Sequence, residues 1–274
     1  MSVINYRAKR DILIVVKGHP YQRDDFFALF ETLNDTRYTA VEQPAAMDLI
    51  GPQCCDRYQA LVFFDMPGLD FSVEPPALIE PDQQYQQRFI AMLEQGMGCV
   101  FLHHAIAAWP TWDEYADIIG GRFLYRPAVV RGEQCLDSGY RHTVRQGITT
   151  VGDHPVLTGV SSSFELVDEP YLFEVFDDDL VPLLRSDYTF ERRYFNSAYR
   201  AVTGEPDSNR DWAHAAGSNV LGWVKAYNGS PIVYLQPGDS AETYRHPDYR
   251  RLVANAIDWV ASDEAMQWAD KRRR

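Results

Sequence analysis

The chain has 274 residues, 46% hydrophobic and 13% aromatic, and its 26 Lys and Arg against 39 Asp and Glu give a formal net charge of −13. Such a chain can bury a large core within a single domain, which we place at 1–274. Its surface repels phosphate backbones and anionic membranes on average, so we expect neither a nucleic-acid nor a membrane partner.

The cysteines and the first apolar run favour the cytosol. The four cysteines include no CxxC pair, and the adjacent Cys54 and Cys55 would be strained if they bridged each other. The apolar run at 12–16, which follows the first basic residues, is too short for a secretion signal or a membrane span. We therefore expect reduced thiols and a cytoplasmic protein.

The first half of the chain alternates short apolar strands with amphipathic helices. The predicted elements are strands at 11–16, 38–41, 60–64 and 99–102, and helices around 26–33, 45–50, 85–93 and 105–119. This alternation predicts an α/β fold with a doubly wound, mostly parallel sheet, flavodoxin-like in type and covered by helices on both faces.

The second half is richer in β-structure and polar connections. Its predicted elements are a β-rich extension outside the main sheet (122–152), two strands (164–176 and 183–190), a polar insertion or lid (191–218), a hairpin (219–227 and 231–236) and a final helix around 252–260. Asn228-Gly229 is a strong hairpin-turn signal. Asp168 and Glu169 lie inside an apolar strand, so they must be solvated, paired or functional.

Polar side chains cluster at the predicted carboxyl ends of the strands, the edge where ligands bind in open α/β sheets. The candidates at this edge are His19, Asp65, His103, His104, Asp168, Glu169 and Asp239. Imidazoles and carboxylates together support either acid–base chemistry or a divalent metal such as zinc, for which His103, His19 and Glu169 are the candidate ligands. The residues alone leave these two alternatives open.

His103 is the preferred site residue among the histidines. Adjacent residues of an extended chain point to opposite sides, so His103 and His104 face one site together only if the chain turns between them. His142, His214 and His246 carry no comparable signal. No cysteine nucleophile stands at the strand-to-helix elbow, because Cys99 lies inside the buried run as an inert thiol. The chain also lacks P-loop, GxGxxG, HExxH and GxSxG motifs.

Several short motifs together resemble the ThuA-like domain family, named for trehalose utilisation. They are Gly18-His19, Leu102-His103-His104-Ala105, Trp112-Asp113-Glu114-Tyr115, Ile118-Ile119-Gly120-Gly121-Arg122-Phe123, Asp153-His154-Pro155-Val156 and Asp168-Glu169-Pro170-Tyr171. Their order and spacing match over about residues 11–260.

The resemblance implies a class I glutamine amidotransferase-like fold and a link to carbohydrate catabolism rather than to glutamine hydrolysis. The positions that match functional residues are His19, His103, Asp168, Glu169 and Tyr171. Where many relatives carry Gly-His after the last strand, this chain has Gly238-Asp239, so its site has one imidazole fewer.

We therefore expect an enzyme that acts on a sugar or an oxidised-sugar derivative, either a hydrolase or an isomerase and not a glutamine amidotransferase. His103, His19, Asp168 and Glu169 form the expected catalytic set. The expected contacts to the small-molecule carbohydrate are Tyr171, His104, Trp109, Trp223, Asp239 and Asp65. The alternative is a non-catalytic sugar-binding or scaffold protein of the same fold, and a homo-oligomer is compatible with either.

Overall fold

A nine-stranded sheet runs through the centre of the protein. The computed structural model describes residues 5–273, so residues 1–4 and 274 of the expected domain 1–274 lie outside the described residues. The strands of the sheet are β1 (Arg10–Lys17), β2 (Thr36–Glu42), β3 (Ala60–Asp65), β4 (Cys99–Leu102), β5 (Val144–Thr150), β6 (Ser163–Asp168), β7 (Val181–Ser186), β8 (Val220–Tyr227) and β9 (Ser230–Leu235). Their order is β6-β5-β7-β8-β9-β4-β3-β1-β2.

Most strands of this sheet run in one direction, as predicted. β2, β1, β3, β4 and β9 pair in parallel, which is the flavodoxin-like strand order. β8 is antiparallel to β9 and to β7, and β5 is antiparallel to β7 and to β6. Only β5 and β8 therefore run against the others, and the carboxyl ends of the remaining strands meet at one edge of the sheet.

Helices cover both faces of the sheet. The α-helices are α1 (Arg23–Phe30), α2 (Ala45–Leu49), α3 (Gln83–Glu94), α4 (Asp113–Ile119), α5 (Ala198–Val202), α6 (Ala241–Arg245), α7 (Pro247–Val260) and α8 (Asp263–Asp270). Short 3-10 turns occur at Pro52–Cys54, His103–Ala107, Pro155–Leu157, Asp177–Asp179 and Arg192–Tyr194. Within residues 5–273, no helix is both long and apolar enough to cross a membrane.

Alternate residues of the buried strands enter two separate cores. In β1, Ile14 packs in the same core as Phe26 of α1, whereas Leu13 packs on the opposite face with Phe89 of α3. This follows from the two-residue period of a strand, whose successive side chains point to opposite faces. Because both faces are covered, the strand is a continuous apolar run instead of an alternating one.

The helix predicted at 105–119 is wrong in its first half. The chain forms a 3-10 turn at His103–Ala107, and α4 begins only at Asp113. Pro110 explains the break, because a proline disfavours helical geometry at the residue before it, and Trp109 takes a positive φ of 48°. The helix does end as predicted, at Gly120 with a φ of 93°.

The second half joins the sheet more closely than predicted. Residues 144–150 of the expected extension form β5, inside the main sheet between β6 and β7, which corrects that part of the 122–152 prediction. The strand predicted at 164–176 ends at Asp168. The remaining short strands are Leu69–Asp70, Ala77–Leu78, Gly121–Arg122, Ala128–Val130, Glu133–Cys135, Gly139–Tyr140, Tyr171–Leu172, Glu174–Val175 and Asn196–Ser197. β8 and β9 form the predicted hairpin.

Candidate functional site

The carboxyl edge of the sheet brings several of the predicted residues together. His103 follows β4, Glu169 follows β6 and Asp239 lies in the loop after β9. One nitrogen of His103 and one oxygen of each carboxylate all lie within 4.8 Å of one another. This cluster is the centre of the candidate site.

His103 has a fixed orientation. Its backbone turns sharply, with a φ of 45°, where β4 passes into the 3-10 turn. Nδ1 lies 2.7 Å from the Gln236 carbonyl oxygen, and because a carbonyl only accepts, Nδ1 carries a proton. Nε2 then faces the Tyr171 hydroxyl at 2.8 Å and Glu169 Oε2 at 3.3 Å. Nε2 is therefore the ring nitrogen that faces the other polar groups of the cluster.

A glycine allows the loop after β9 to reach His103. Gly238 has a φ of 144°, and a Cβ added there would lie 2.7 Å from the Tyr249 hydroxyl and 3.2 Å from the His103 Cβ. The next residue, Asp239, brings Oδ1 to 3.7 Å from His103 Nε2. The Gly-Asp sequence thus supplies a carboxylate to the site through a close backbone approach.

The charges in this cluster favour an imidazolium beside ionised carboxylates. Burial opposes the charged form of His103, but the hydrogen bond to Glu169 and the charges of Asp239 and Asp168 outweigh burial and raise its pKa to about 9. Burial likewise opposes ionisation of Glu169, yet its contacts with His103 and His142 hold its pKa well below the usual range. At neutral pH the proton therefore resides on His103.

Sequence reasoning missed His142. Its Nδ1 lies 2.8 Å from Glu169 Oε1, and this contact raises the pKa of His142 although partial burial opposes the charge. The side chain is 54% exposed, whereas that of Glu169 is 3% exposed. The signal lay in the strand pairing: β5 and β6 are antiparallel with Val144 opposite Asp168, so His142, two residues before β5, comes close to Glu169, the residue just after β6.

Asp168 holds the site together without touching His103. Its Oδ2 accepts hydrogen bonds from the Gly238 N–H at 2.7 Å and the Thr243 hydroxyl at 2.9 Å, and its Oδ1 accepts one from the Asp239 N–H at 2.9 Å. Its own burial raises its pKa, against the opposing effect of these donors and of His103. The expected catalytic role of Asp168 is therefore corrected to a positioning role for the loop that carries Asp239.

His19 lies beside the cluster and outside its group of candidate ligands. Its Nδ1 is 2.9 Å from the Pro20 carbonyl, and its ring packs on His104 at 4.9 Å between centroids. Burial lowers the pKa of His19, as does the positive charge of His103. The structure groups His103 with Glu169 and Asp239 as potential metal ligands, so the expected ligand His19 is replaced by Asp239.

A cavity of about 220 Å³ borders this cluster through Glu169 and Tyr171, the two neighbours of His103 Nε2, whereas neither the buried His103 nor Asp239 is among its lining residues. Its lining residues are His19, Met66, Ala107, Phe123, Tyr125, Tyr140, His142, Glu169, Tyr171, Ala198, Ala201 and Val202. Aromatic rings form much of the wall, while the imidazoles and the carboxylate of Glu169 supply the polar groups. The last three residues belong to α5, so part of the polar segment predicted at 191–218 forms one wall of the cavity.

Four predicted contact residues lie in the core and do not line this cavity. Trp223 is fully buried and donates its indole N–H to the Ile119 carbonyl at 2.8 Å. Trp109 is also buried, against Tyr85. These two tryptophans pack in the interior because their large apolar surfaces are removed from water there.

His104 and Asp65 are the other two predicted contact residues that are buried and do not line the cavity. His104 Nε2 bonds to the Phe64 carbonyl at 3.0 Å, and burial holds its pKa well below the ordinary value. Asp65 accepts a hydrogen bond from Gln43 Nε2 at 2.7 Å, and burial raises its pKa to about 6. A residue at the carboxyl end of a strand can therefore have its side chain buried below the ligand-binding edge.

A larger groove of about 760 Å³ lies elsewhere and contains none of the predicted residues. Its buried Lys225 ammonium donates to the Asp117 carbonyl and pairs with Asp179 at 3.1 Å. Its Arg131 pairs with Asp117 at 2.9 Å and with Asp178 at 3.0 Å. These cations are matched by carboxylates of the groove itself, so the smaller cavity at the carboxyl edge is the better candidate site.

The strand order and the residue at the strand-to-helix elbow define a class of protein: a doubly wound, flavodoxin-like α/β fold in which His103 stands at the elbow after β4. Within that class the chain belongs to the ThuA family, because the model of this family, described as trehalose utilisation, matches residues 12–260. Membership points to a carbohydrate-related role.

Solved structures agree on the fold. A ThuA-like protein from Parabacteroides merdae is 14% identical with a TM-score of 0.61, covering 92% of this chain and 90% of its own. Another from Bacteroides uniformis is 15% identical with a TM-score of 0.60, covering 96% and 95%. A protein from Salmonella typhimurium LT2 described as cytoplasmic is 10% identical with a TM-score of 0.55, covering 91% and 99%. No curated protein matches the sequence.

Proposed function

We propose that this protein is an enzyme of carbohydrate metabolism that acts on a sugar or an oxidised-sugar derivative through acid–base chemistry at His103. The observation that carries the proposal is the buried His103 itself: its Nδ1 is fixed on the Gln236 carbonyl at 2.7 Å, and its Nε2 faces Glu169 at 3.3 Å. A buried, charged imidazole held between a fixed acceptor and a carboxylate is typical of a catalytic acid or base.

The walls and the size of the cavity suit a small polyol. Aromatic rings pack against the apolar faces of sugars, and carboxylates accept hydrogen bonds from hydroxyl groups. The cavity has Phe123, Tyr125, Tyr140 and Tyr171 in its wall and Glu169 among its polar groups. Its volume of about 220 Å³ is below the ~300–1,000 Å³ of sites for drug-sized ligands, which favours a ligand of about one sugar ring.

The protonation states of the side chains at neutral pH suggest the role of each in the proposed reaction. With a pKa of about 9, His103 begins the reaction as an imidazolium and gives its Nε2 proton to an oxygen atom of the ligand. Glu169 stays ionised and stabilises the charged imidazole, and the neutral imidazole then takes a proton back from the product. Tyr171 keeps its hydroxyl proton, since burial and the charge of Glu169 raise its pKa well above the ordinary value.

A metal-assisted form of the same chemistry has its own support. His103 Nε2, Glu169 and Asp239 present one nitrogen and two carboxylate donors within 4.8 Å, a donor set that suits zinc. The bond from His103 Nδ1 to a backbone carbonyl is the arrangement that commonly orients a metal-binding imidazole. A zinc ion held there would polarise a ligand oxygen, while Tyr171 and His142 would keep their positions around the cluster.

The proposal includes a cytoplasmic location and a small-molecule carbohydrate partner. Cys54, Cys55, Cys99 and Cys135 are free thiols, which suits a reducing compartment. A homo-oligomer stays a prediction.

The test combines binding with turnover. The protein is screened by thermal shift against neutral sugars, sugar acids and sugar phosphates, with zinc, with manganese and with EDTA, and each stabilising sugar is then followed by NMR for conversion. We expect one of them to be converted, and His103→Ala to abolish conversion while the protein stays folded. His246→Asn is the matched control, because His246 caps α7 away from the cavity and asparagine is also a good cap.

The outcomes separate the alternatives. Full turnover by His103→Ala would exclude the proposed role. Saturable binding without conversion would favour the non-catalytic sugar-binding alternative. Loss of turnover in EDTA with recovery in zinc would select the metal-assisted form, and full activity of metal-free protein would exclude it.

A further inference from the structure

Within the part of the chain that the structure describes, the candidate cavity has a carboxylate in its lining but no lysine or arginine. None of the 26 lysines and arginines of the chain lines it, as far as residues 5–273 are concerned. Glu169 lines the cavity directly, and Asp239 stands next to it, with its side chain 27% exposed. Sites that recognise phosphate or carboxylate use arginine or lysine, because these side chains supply permanent positive charge and several donors.

The histidines do not replace the missing cation. Burial lowers the pKa of His19, which disfavours its charged form, and the other two imidazoles face Glu169. His103 Nε2 lies 3.3 Å from one oxygen of Glu169, and His142 Nδ1 lies 2.8 Å from the other. Each of these two imidazoles therefore already has a carboxylate partner within the protein. An incoming anion would have to compete with Glu169 for both rings, and it would approach the carboxylates of Glu169 and Asp239 as it did so.

From this arrangement we propose that the site accepts an uncharged sugar and discriminates against its phosphorylated and acidic counterparts. This inference rests on the proposed carbohydrate function and narrows its substrate class. Hydroxyl groups can donate to the carboxylates, whereas a phosphate or carboxylate group can only accept and meets no free cation. Of the oxidised sugars, those without a carboxylate group remain as candidate substrates.

Two aliphatic residues of the cavity wall are positions at which a positively charged side chain can be introduced. Ala201 and Val202 of α5 line the cavity and are only partly buried, so a longer side chain at Val202 can extend along the wall with its charged end in water. Val202 contacts none of the proposed catalytic groups by hydrogen bond or ion pair. It is therefore a suitable position for adding the missing charge.

The first experiment measures the affinity of the complete protein for matched sets of sugars on the same ring. Glucose is compared with glucose 6-phosphate and glucuronate by isothermal titration, with and without zinc. We expect a neutral member to bind, and its phosphorylated and acidic counterparts to bind at least tenfold more weakly.

The second experiment adds the cation. Val202→Lys is compared with Tyr199→Lys, which places the same charge on the same helix at a 48% exposed position outside the cavity lining. We expect Val202→Lys to tighten binding of the phosphorylated or acidic sugar at least tenfold relative to wild type, and Tyr199→Lys to leave it unchanged. Circular dichroism confirms that both variants are folded.

The results distinguish a failure of this inference from a failure of the proposed function. Equal or tighter binding of a phosphorylated or acidic sugar by the wild-type protein overturns the inference and leaves the carbohydrate function standing. No gain in the folded Val202→Lys variant overturns the explanation by charge. If no sugar of either kind binds, the carbohydrate function itself fails, and the inference fails with it.

Discussion

The interaction between His103 and Glu169 leads to a quantitative prediction for the variant Glu169→Gln. The rise in the pKa of His103 from 6.5 to about 9 corresponds to about 3 kcal/mol of stabilisation of the imidazolium by folding. Because the folded-state value lies above the unfolded one, this stabilisation is complete below about pH 6.5 and is lost as the pH rises through about 9. Glutamine removes the charge of Glu169, so burial then lowers the pKa of His103.

The assay has two readouts on metal-free protein. Imidazole chemical shifts give the pKa of His103 by NMR, and urea unfolding at pH 6 and pH 9 gives the change in stability across the titration. We expect the pKa of His103 to fall by more than one unit in Glu169→Gln. The loss of stability between pH 6 and pH 9 is then smaller in the variant than in the wild type by about 1 kcal/mol or more.

The control for this prediction is Glu165→Gln, the same change on β6 at a side chain that is 67% exposed and paired with Arg145. It should leave both readouts unchanged, because an exposed ion pair contributes little. An unaltered pKa of His103 in Glu169→Gln would refute the assignment of Glu169 as the partner that keeps this imidazole charged.

Three further substitutions test the framework of the site. Asp168→Asn should lower the free energy of unfolding by about 2 kcal/mol and weaken sugar binding, because the loop after β9 loses a carboxylate acceptor; urea unfolding and titration measure both, and unchanged values would contradict its positioning role. Trp223→Phe should cost about 1–3 kcal/mol at unchanged sugar affinity, since a core hydrogen bond and part of the buried ring volume are lost outside the cavity lining; weaker sugar binding by a variant that folds as stably as the wild type would return this residue to the site. Gly98→Ala should cost about 3 kcal/mol or more, because its Cβ would lie 2.1 Å from the Val260 carbonyl oxygen, and thermal unfolding near that of wild type would disprove this packing.

The alternation of strands and helices could be read from the sequence because it depends on local periodicity. The run at 99–102 is apolar at every position, and the structure places it as β4 with parallel neighbours on both sides. The turn at Asn228-Gly229 was equally local, and the hairpin formed there. The position of His103 at the ligand edge followed from the same information, because it is the first residue after a buried strand.

The details of side-chain direction could not be read in the same way. Asp65 ends β3 and His104 lies just after β4, both at the ligand edge. The side chain of each is nevertheless buried, with hydrogen bonds from Gln43 to Asp65 and between His104 and the Phe64 carbonyl. Trp109 and Trp223 were predicted to stack their aromatic rings against a sugar, but both side chains pack in the core. These choices depend on which neighbours the fold supplies, and those neighbours are distant in the chain.

The sequence by itself determined the class of fold and the position of His103 at the carboxyl edge of the sheet, because both depend on short-range patterns of apolar and polar residues. Only the tertiary structure decided that His142 holds Glu169 and that Asp239 completes the cluster. The first contact requires the antiparallel pairing of β5 with β6, and the second requires the close approach of Gly238 to His103. Long-range pairing and backbone approach are set by the packing of the whole chain, so no local pattern records them.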